Sequence, residues 1–442
     1  MMKILLVLLI YLLSIQGAEA FERIDVKMGR IRDFAYEENG EIFVRPSLLE
    51  QGEKWKIAER NEKLYVMLQI EEKSSMEEVE IPVKSIKGNQ YVDLSFFAKQ
   101  AGLTYTYDPK RKKLNVGRIK KEKALDDNRK IIFMWDPQKQ YDPARPYFTK
   151  AAGRRILSPT WGSYKELDQM PLSEAYLQMI RRADLEIMPL VHNDFNIKET
   201  KRLMQDKTAM EKMAGKLTAI SLVYDFGGWN IDFENMDPAD SERYTDFIKV
   251  VSEKLHKHDK ELSVDITVYN AQSPNWSLCY DRKALARYGD YEILMGYDQT
   301  PRGSLSAGSV SSYRWLDDNI KVLLEEVPHE KLILGLPLYT RIWQGVQGKA
   351  KSSVLPMKQL ASLFHTYHVR KIWDMGDKQY IGSWVENRQP KKFWMEDVDS
   401  LAIKMDLIRV YDLAGVAFWR YGFEPEDLYF RLEPKLVQDL KP

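Results

Sequence analysis

An amide and two carboxyls alternate with apolar side chains in one short segment, GGWNIDFEN, at residues 227–235. Asn230, Asp232 and Glu234 stand at every second position, and a tryptophan, an isoleucine and a phenylalanine precede them in turn. Side chains two apart in a β-strand point to the same face of the strand. The segment therefore predicts a strand with one apolar face and one face that carries reactive groups.

Two carboxyls enclosed in a fold are costly unless they are paired, hydrogen-bonded or protonated. If Asp232 and Glu234 lie close together, the pKa of at least one is raised, which yields a proton donor near neutral pH. Glycoside hydrolysis requires this chemistry, because an acid must protonate the departing oxygen while a second group stabilises the developing positive charge. The alternatives are a structural ion-pair network and a metal site. Residues 232–240 cluster acids but lack the glycine at the sixth position of an EF-hand-type calcium loop.

The elements that must position these groups alternate regularly from residue 130 onward. Apolar β-type runs are mostly separated by helix-length amphipathic stretches. The runs predicted as strands are 130–135, 155–161, 185–191, 229–234, 262–269, 291–298, 331–339 and 414–419. Their count predicts an α/β protein with a (β/α)8 TIM barrel, whose active site lies at the carboxyl ends of the strands. Glu234 is then the last residue of the fourth strand, at the mouth, and Asp232 lies two residues deeper.

Two local patterns refine the barrel. After the fourth strand, Asp237 is predicted to cap and Pro238 to begin a helix with one apolar stripe. The stripe consists of Tyr244, Phe247, Val250, Val251 and Leu255. The connector after the seventh strand is long, and its residues around 345–392 are predicted to form a small insertion on the catalytic face.

The region before the barrel, residues 30–117, consists of short β-type segments with one helical stretch at 95–100. Its final order of helix, strand, Asp-Pro turn and strand resembles the copper amine oxidase N-terminal-like domain, a small β-rich α+β fold. No histidine precedes His192, so we predict no copper site and a module for cell-wall contact or spacing. The charged residues 118–129 are predicted to be an exposed linker to the catalytic barrel at 130–442.

Export is predicted from residues 1–20, which contain a lysine, an apolar run and a small-residue cleavage pattern that ends at Ala20. A membrane anchor is the alternative, but the run is shorter than the ~20 residues that a span prefers. The single cysteine, Cys279, excludes an internal disulfide and is predicted to be a small half-buried side chain rather than a nucleophile. Because 66 basic and 65 acidic residues nearly cancel, nucleic acid is not an expected partner.

Several segments, in order, resemble glycoside hydrolase family 18. GWNIDFEN resembles that family's strand-four signature, DxxDxDxE, with Glu234 as its final glutamate and Asp232 as the aspartate two before it. LSVDITVY, DYEILMGYD, KLILGLPLYTRIW and GVAFWRYGFE resemble strands five to eight, and MGYD matches a Met-x-Tyr-Asp motif. The closer likeness is to the branch of spore cortex-lytic N-acetylglucosaminidases. Gly227 and Asn230 depart from the full signature, because each stands where the family carries an aspartate.

The resemblance implies a retaining, substrate-assisted reaction that needs no metal or organic cofactor. Glu234 would protonate the glycosidic oxygen while the substrate's own acetamido carbonyl attacks the anomeric carbon. Asp232 would hold the acetamido N–H and stabilise the oxazolinium-like intermediate. Tyr297 would hydrogen-bond the acetamido oxygen from the sixth strand.

Further residues are candidates for substrate contact. The resemblance implies that Trp419 forms an apolar floor under the sugar, that Asp298 supports the site, and that Asn230 fixes the aspartate above it. Asn193 follows the third predicted strand and Trp161 ends the second, so both are candidates by position. Both also have structural alternatives, because an asparagine can satisfy loop hydrogen bonds and a tryptophan can pack in the core.

The predicted function is a secreted, monomeric glycoside hydrolase that acts on β-linked N-acetylglucosamine-containing polysaccharide, with the cell wall as the expected place of action. Chitin-type glycan, vegetative peptidoglycan and spore cortex stay open as substrates, as do endo and exo cleavage. One alternative is a non-catalytic, lectin-like glycan-binding protein on the same barrel. Another is a wall-attached structural module. The presence of Glu234 favours the enzyme.

Overall fold

The computed structural model describes residues 22–28, 31–38, 41–49, 55–60, 63–69, 76–86, 89–101, 103–108, 113–118, 130–142, 153–169, 171–345 and 350–437. The chain divides into two compact units, Met1–Asp127 and Asn128–Pro442. The predicted signal peptide at 1–20 and almost all of the predicted linker at 118–129 lie outside the described residues. In the described part, no helix has the length and apolar character needed to cross a membrane.

The described part of the first unit is mainly β-structure. Its strands are β1 (Glu22–Met28), β2 (Ile31–Glu38), β3 (Glu41–Val44), β4 (Trp55–Arg60), β5 (Lys63–Gln69), β6 (Met76–Ile81), β7 (Val83–Ile86), β8 (Asn89–Asp93), β9 (Leu103–Asp108) and β10 (Lys113–Arg118), and its helices are α1 (Pro46–Leu49) and α2 (Leu94–Ala101). One sheet has the order β7-β8-β3-β2-β1-β10-β9, and β4, β5 and β6 form a second sheet. Helix α2 covers the predicted helical stretch, and the likeness to the copper amine oxidase N-terminal-like domain stays a prediction.

The second unit contains a closed barrel of eight parallel strands, which confirms the predicted (β/α)8 fold. The strands of this unit are β11 (Ile131–Asp136), β12 (Arg154–Ser163), β13 (Glu186–Ile187), β14 (Leu190–His192), β15 (Gly228–Asp232), β16 (Glu261–Ile266), β17 (Tyr291–Met295), β18 (Leu332–Pro337), β19 (Tyr339–Gln344), β20 (Lys351–Pro356), β21 (Arg370–Asp374), β22 (Gln379–Glu386), β23 (Gln389–Trp394) and β24 (Gly415–Trp419). The barrel runs β11-β12-β14-β15-β16-β17-β18-β24, and the pairing of β24 with β11 closes it. The third predicted strand is divided into β13 and β14 around Pro189, which has no N–H to give to a ladder.

Apolar layers lie on both sides of the barrel wall. The buried residues of the inner layer are Ile131, Phe133, Trp135, Ile156, Met188, Leu190, Ile293, Ile333 and Ala417. The outer layer, between strands and helices, includes Trp229, Ile231 and Phe233, none of which has exposed surface. The apolar face of β15 therefore packs against the helices. Its polar face, which begins with Asn230 and Asp232, points into the barrel.

Helices follow most of the barrel strands. They are α3 (Glu174–Arg182), α4 (Ile197–Gln205), α5 (Lys207–Tyr224), α6 (Ser241–His256), α7 (Pro274–Ser277), α8 (Arg282–Tyr288), α9 (Tyr313–Leu323), α10 (Leu360–Thr366), α11 (Val398–Val410) and α12 (Leu428–Val437). Asp237 caps a 3-10 turn, Pro238–Asp240, which leads into α6. In the predicted stripe of α6, Tyr244, Phe247, Val251 and Leu255 are buried and Val250 is partly buried.

The long connector after β18 forms a small antiparallel sheet in the order β20-β19-β23-β22-β21, together with α10. Its first strand follows the carboxyl end of β18, so the insertion starts at the mouth of the barrel. A buried ion pair joins it to α11, because Lys404 Nζ lies 2.6 Å from Glu396 Oε2 and neither side chain is exposed. Glu396 Oε1 also accepts from Gln379 Nε2 of β22 at 2.6 Å, which fixes the insertion to the barrel unit.

Candidate active site

Glu234 lies just beyond the carboxyl end of β15. The strand ends at Asp232 and not, as predicted, at Glu234. The ladder stops here because the Glu234 backbone N–H donates to Asn193 Oδ1 at 3.1 Å. The preceding carbonyl, of Phe233, accepts from the Tyr280 hydroxyl at 2.9 Å. At the predicted acid, hydrogen bonds between the backbone and side chains therefore replace the backbone hydrogen bonds of the sheet.

Asn193 holds the Glu234 backbone on both sides of the residue. Besides accepting from the N–H, its side chain donates from Nδ2 to the Glu234 carbonyl oxygen at 2.7 Å. The same amide donates to Thr200 Oγ1 at 3.0 Å and accepts from the Phe195 N–H at 3.2 Å. Asn193 has no exposed surface. The prediction that Asn193 contacts substrate is therefore corrected: protein groups occupy its amide, and it positions Glu234.

The carboxyls of Asp232 and Glu234 are both shifted toward their protonated forms. Asp232 Oδ1 is buried without a hydrogen-bond partner in the described structure, and burial raises the pKa of Asp232 to about 7. Burial also raises the pKa of Glu234 well above its ordinary value, and the charges of Asp232 and Asp298 raise it further. Glu234 can therefore carry a proton at a pH where an exposed glutamate is ionised.

Asn230 lies one inward position deeper than Asp232, in an enclosed hydrogen-bond network. Its Oδ1 accepts from Trp135 Nε1 at 2.9 Å. Its Nδ2 donates to Ser263 Oγ at 3.1 Å and to Asp265 Oδ1 at 2.8 Å. The predicted role of Asn230, to fix the aspartate above it, needs correction. Its hydrogen bonds go to the first and fifth barrel strands, β11 and β16, and not to Asp232.

Tyr297, two residues beyond β17, and Trp419, the last residue of β24, stack on each other. Their ring centroids are 6.2 Å apart with an interplanar angle of 25°. Trp135 meets both rings edge-on, with centroid distances of 6.3 Å and 5.8 Å. Burial raises the pKa of the Tyr297 hydroxyl well above its ordinary value, and the charges of Asp265 and Asp232 add to the rise. The hydroxyl therefore keeps its proton and can act as a hydrogen-bond donor.

Asp298 connects the site to the insertion. Its Oδ1 accepts from the Tyr339 hydroxyl and from Arg341 Nη2, each at 2.5 Å. Both donors belong to β19 and are buried, with 4% and 3% exposure. Because the charge of Asp298 raises the pKa of Glu234, the two carboxyls lie within electrostatic reach of each other. The supporting role of Asp298 in the reaction stays a prediction.

Trp161 is placed away from this group of residues. It is 3% exposed and belongs to the outer apolar layer, between the barrel wall and the helices. Its ring packs against Trp229 at 5.4 Å and Phe226 at 6.1 Å between centroids. The prediction that Trp161 contacts substrate is therefore corrected in favour of the core alternative. Its strand end is near the mouth, but its side chain is on the helix side of the wall.

Sequence reasoning missed Asp265, although a signal was present. In LSVDI, Ser263 and Asp265 alternate with apolar residues in the same period of two that marked the fourth strand. Both are 1% exposed and both accept from the Asn230 amide. Arg341 was missed as well, because a single arginine in a predicted insertion carries no signal of which carboxylate it will meet.

A pair of exposed aromatic rings stands beside the site. Phe195 and Trp276 are 48% and 41% exposed, and their ring centroids lie 5.6 Å apart. Asn235, the neighbour of Glu234, donates from Nδ2 to the Phe195 carbonyl oxygen at 2.8 Å. The pair therefore presents an apolar surface next to the predicted acid, of a kind suited to the apolar faces of sugars.

Metal and thiol chemistry find no support in the described residues. These residues contain no group of three or more histidine, cysteine, aspartate or glutamate side chains that could hold a metal ion. Cys279 is fully buried, more so than predicted, and its Sγ donates to the Asn275 carbonyl oxygen at 3.3 Å. Burial raises the pKa of its thiol to about 11, which disfavours the thiolate that a nucleophile needs.

Comparison with known proteins identifies relatives for the barrel unit. The sequence model of Glycosyl hydrolases family 18 matches residues 179–424. The chain is 27% identical over 239 residues to YvbX of Bacillus subtilis (strain 168), an uncharacterized glycosylase, covering 53% of this chain and 69% of that protein. It is 24% identical over 226 residues to the cortical fragment-lytic enzyme of the same organism, covering 50% of this chain and 52% of the relative. The match thus spans only about half the length of that enzyme.

Solved structures share the fold at lower identity. A chitinase from Chromobacterium violaceum ATCC 12472 superposes with a TM-score of 0.63 at 19% identity, covering 70% of this chain and all of the other. The spore cortex-lytic enzyme SleL of Bacillus megaterium QM B1551 superposes with a TM-score of 0.61 at 18% identity, covering 70% of this chain and 74% of that protein. These likenesses show the barrel fold.

Proposed function

The chain belongs to glycosyl hydrolase family 18, and from this premise we propose that it hydrolyses β-linked N-acetylglucosamine-containing glycans with Glu234 as the general acid. One observation carries the proposal: Glu234 stands at the barrel mouth with a raised pKa, and Asn193 holds its backbone on both sides. A proton donor in a fixed position is what a glycosidase needs and what a binding protein does not.

In the proposed reaction, the substrate supplies its own nucleophile. Glu234 gives its proton to the glycosidic oxygen as the bond to the anomeric carbon breaks, and the 2-acetamido carbonyl oxygen attacks that carbon. The leaving sugar departs with the proton. Water then attacks the anomeric carbon of the oxazolinium intermediate and returns a proton to Glu234, so that the configuration is retained.

The other residues stabilise charge and orient the sugar. Asp232 accepts a hydrogen bond from the acetamido N–H and offsets the positive charge of the intermediate. The Tyr297 hydroxyl, which keeps its proton, donates to the acetamido oxygen. Trp419, stacked on Tyr297, forms the floor beneath the sugar. Asp298 raises the pKa of Glu234, which helps the acid to stay protonated until the bond breaks.

Two assays define the substrate and separate the proposal from its alternatives. Release of reducing ends is measured side by side on chitin, vegetative peptidoglycan and spore cortex fragments. The names of the relatives point to the cortex, so we expect turnover there. Binding to these glycans without any turnover would favour the lectin-like alternative. Neither binding nor turnover would favour a structural wall module.

We extend the proposal to the place of action. The apolar N-terminal segment that ends at Ala20 directs export, and the mature protein acts on the cell wall as a monomer. Sequencing the N-terminus of the protein recovered outside the cell tests this part, and an intact N-terminal segment on exported protein would contradict it.

The activity should fall as the pH rises above neutrality. Glu234 acts only when protonated, and its pKa is raised by burial and by two neighbouring carboxylates. We therefore expect kcat/KM, measured on soluble N-acetylglucosamine oligosaccharides from pH 5 to pH 9, to decline on the alkaline side. Enzyme held at each pH and assayed again at pH 6 controls for denaturation. A value of kcat/KM that stays constant to pH 9 would contradict the role of Glu234.

The aromatic pair should contribute to the binding of long glycans. Trp276→Ala is expected to raise KM roughly tenfold, equivalent to about 1.4 kcal/mol, while kcat changes little, because the ring has no part in the proton transfer. Phe430→Ala is the matched control, since Phe430 is also an exposed aromatic residue, at 79%, but belongs to α12. Equal KM values for the two variants would remove Trp276 from the binding surface.

A further inference from the structure

One buried carboxyl beside the site has no part in the mechanism above. Asp265 belongs to β16 and is 1% exposed. In the pairing of β15 with β16, Asn230 is opposite Ser263 and Ile231 is opposite Val264. Asp232 and Asp265 are the next residues on the two strands. The side chains of Asn230 and Ser263 bond each other inside the barrel, and by the period of two Asp232 and Asp265 point inward as well.

The hydrogen bonds around Asn230 fix its orientation and exclude it as a proton carrier. An indole N–H can only donate, so Trp135 requires the oxygen of the Asn230 amide to face it. The amide nitrogen must then face Ser263 and Asp265, as the structure has it. An amide cannot exchange a proton with a carboxyl under these conditions. Among the hydrogen-bond partners of the Asn230 side chain, which are Trp135, Ser263 and Asp265, only Asp265 can take a proton.

The charged groups that act on Asp265 are carboxyls. In the described part of the chain, no lysine, arginine or histidine forms an ion pair or hydrogen bond with the side chains of Asp232, Glu234 or Asp265. The groups that act on Asp265 include the carboxyls of Asp232 and Glu234, the Asn230 amide and the Trp135 indole. The charge of Asp265 also acts on the hydroxyls of Tyr297 and Tyr244. Burial and the charge of Asp232 raise the pKa of Asp265 well above its ordinary value. Three such carboxyls cannot all be ionised together, so they must share protons.

We propose that Asp265 is the proton-sharing partner of Asp232 and thereby positions its charge for catalysis. The proposal rests on the function proposed above. In the free enzyme, one proton is shared between the two carboxyls. When the acetamido group enters, the O–H bond on Asp232 breaks and an O–H bond on Asp265 forms, so the negative charge passes to Asp232 and no proton leaves the site. Asp232 is then an anion where the positive charge of the intermediate develops. Asp265 does not touch the substrate.

The decisive variant is Asp265→Asn, which keeps the shape of the side chain but cannot take the proton. We expect kcat to fall roughly tenfold or more with little change in KM, because the positioning residue acts on the charge of Asp232 and not on binding. The alkaline limb of the pH–rate profile, which reports the proton on Glu234, should move to lower pH by about one unit, because Asp265→Asn removes a carboxyl that interacts with Glu234. A profile that coincides with that of the wild-type enzyme would overturn the proposal, whatever the change in stability.

Two further variants provide a control and an alternative in case Asp265→Asn does not fold. Glu292→Gln is the matched control, because Glu292 is also a buried barrel-strand carboxyl with a raised pKa, but its charged neighbours are Arg282, Lys331, Glu326 and Asp281. It should leave the pH–rate profile unchanged. If Asp265→Asn fails to fold, the double variant Asn230→Asp with Asp265→Asn is used instead. It places a carboxyl near Asp232 on β15, the strand of Asp232 itself, in place of the one lost from β16. We expect the folded double variant to be active, and a folded but inactive one would overturn the proposal.

A measurement without substrate separates this proposal from the proposed function. A carboxyl whose folded pKa is raised stabilises the fold below its unfolded pKa, and that contribution is lost as the pH rises through the folded pKa. The Tm of the wild-type protein should therefore fall between pH 5 and pH 8, and Asp265→Asn should make the fall shallower. If no glycan is turned over, the proposed function fails, but this difference still tests the coupling. Equal slopes for variant and wild type would overturn it.

Discussion

Replacing Glu234 with glutamine is expected to reduce hydrolysis by about 10²- to 10⁴-fold, the range associated with loss of a general acid. Glutamine has the shape of glutamic acid but cannot give a proton to the departing oxygen. The fold should persist, because Asn193 binds the backbone of residue 234 and not its carboxyl. The measurement is kcat on an N-acetylated oligosaccharide at neutral pH, together with the Tm of the variant.

The matched control for this variant is Glu242→Gln. Glu242 lies in the first turn of α6 and its side chain is exposed, so the same substitution there removes a surface carboxylate without touching the site. Its activity should equal that of the wild type. Retention of more than a few per cent of wild-type activity by Glu234→Gln, with both variants folded, would remove Glu234 from the role of acid.

The second large effect concerns the substrate rather than the protein. A fully deacetylated glycan is expected to be turned over at least about 10³-fold more slowly than its N-acetylated form, because the intramolecular nucleophile is gone and its effective molarity is lost. Asp232 also loses the N–H that it is proposed to hold. The measurement is kcat/KM on matched chitin and chitosan oligosaccharides of the same length.

A control distinguishes loss of the nucleophile from loss of binding. The deacetylated oligosaccharide is tested as a competitive inhibitor of hydrolysis of the acetylated one. Inhibition without turnover fits the proposed mechanism, whereas equal turnover of both oligosaccharides would refute substrate assistance. In that case a second protein carboxylate would have to act as the nucleophile.

The fold was largely predictable because its signals are local. Alternating apolar runs and amphipathic stretches indicated a barrel of eight strands, and the closed ring from β11 to β24 has that form. The period of two in GGWNIDFEN also predicted correctly that Asn230 and Asp232 lie on the face opposite Trp229. Strand ends were less predictable. The ladder at β15 stops at Asp232 because Asn193, distant in sequence, takes the N–H of Glu234.

The functions of single polar residues were harder to predict. Asn193 was expected to contact substrate and is instead enclosed, with its amide bound to the Glu234 backbone. Trp161 ends a strand near the mouth, yet its ring packs in the outer layer against Trp229. A residue's place along a strand indicates its height in the barrel. Which side of the wall its side chain occupies depends on local register, and β12 has a register irregularity between Thr160 and Gly162.

Gly227 stands where the family's strand-four signature has its first aspartate, and the structure explains this difference. An added Cβ at Gly227 would lie 3.2 Å from Glu186 Oε2, so an aspartate there would meet a carboxylate that already pairs with Arg154. Asn230 stands where the signature has its second aspartate, and here the adjacent strand β16 contributes the carboxyl of Asp265. The number of acids on one strand therefore does not measure the number of acids in the site.

The sequence by itself determined the type of fold, the family and the strand that leads to the proposed acid, because period and composition are properties of neighbouring residues. Only the tertiary structure decided what surrounds that acid: the asparagine that holds it, the carboxylate of Asp298 that raises its pKa, and the aspartate one strand away. These partners come together through strand register and barrel closure. Burial then gives their charges an influence that the same residues would not have in water.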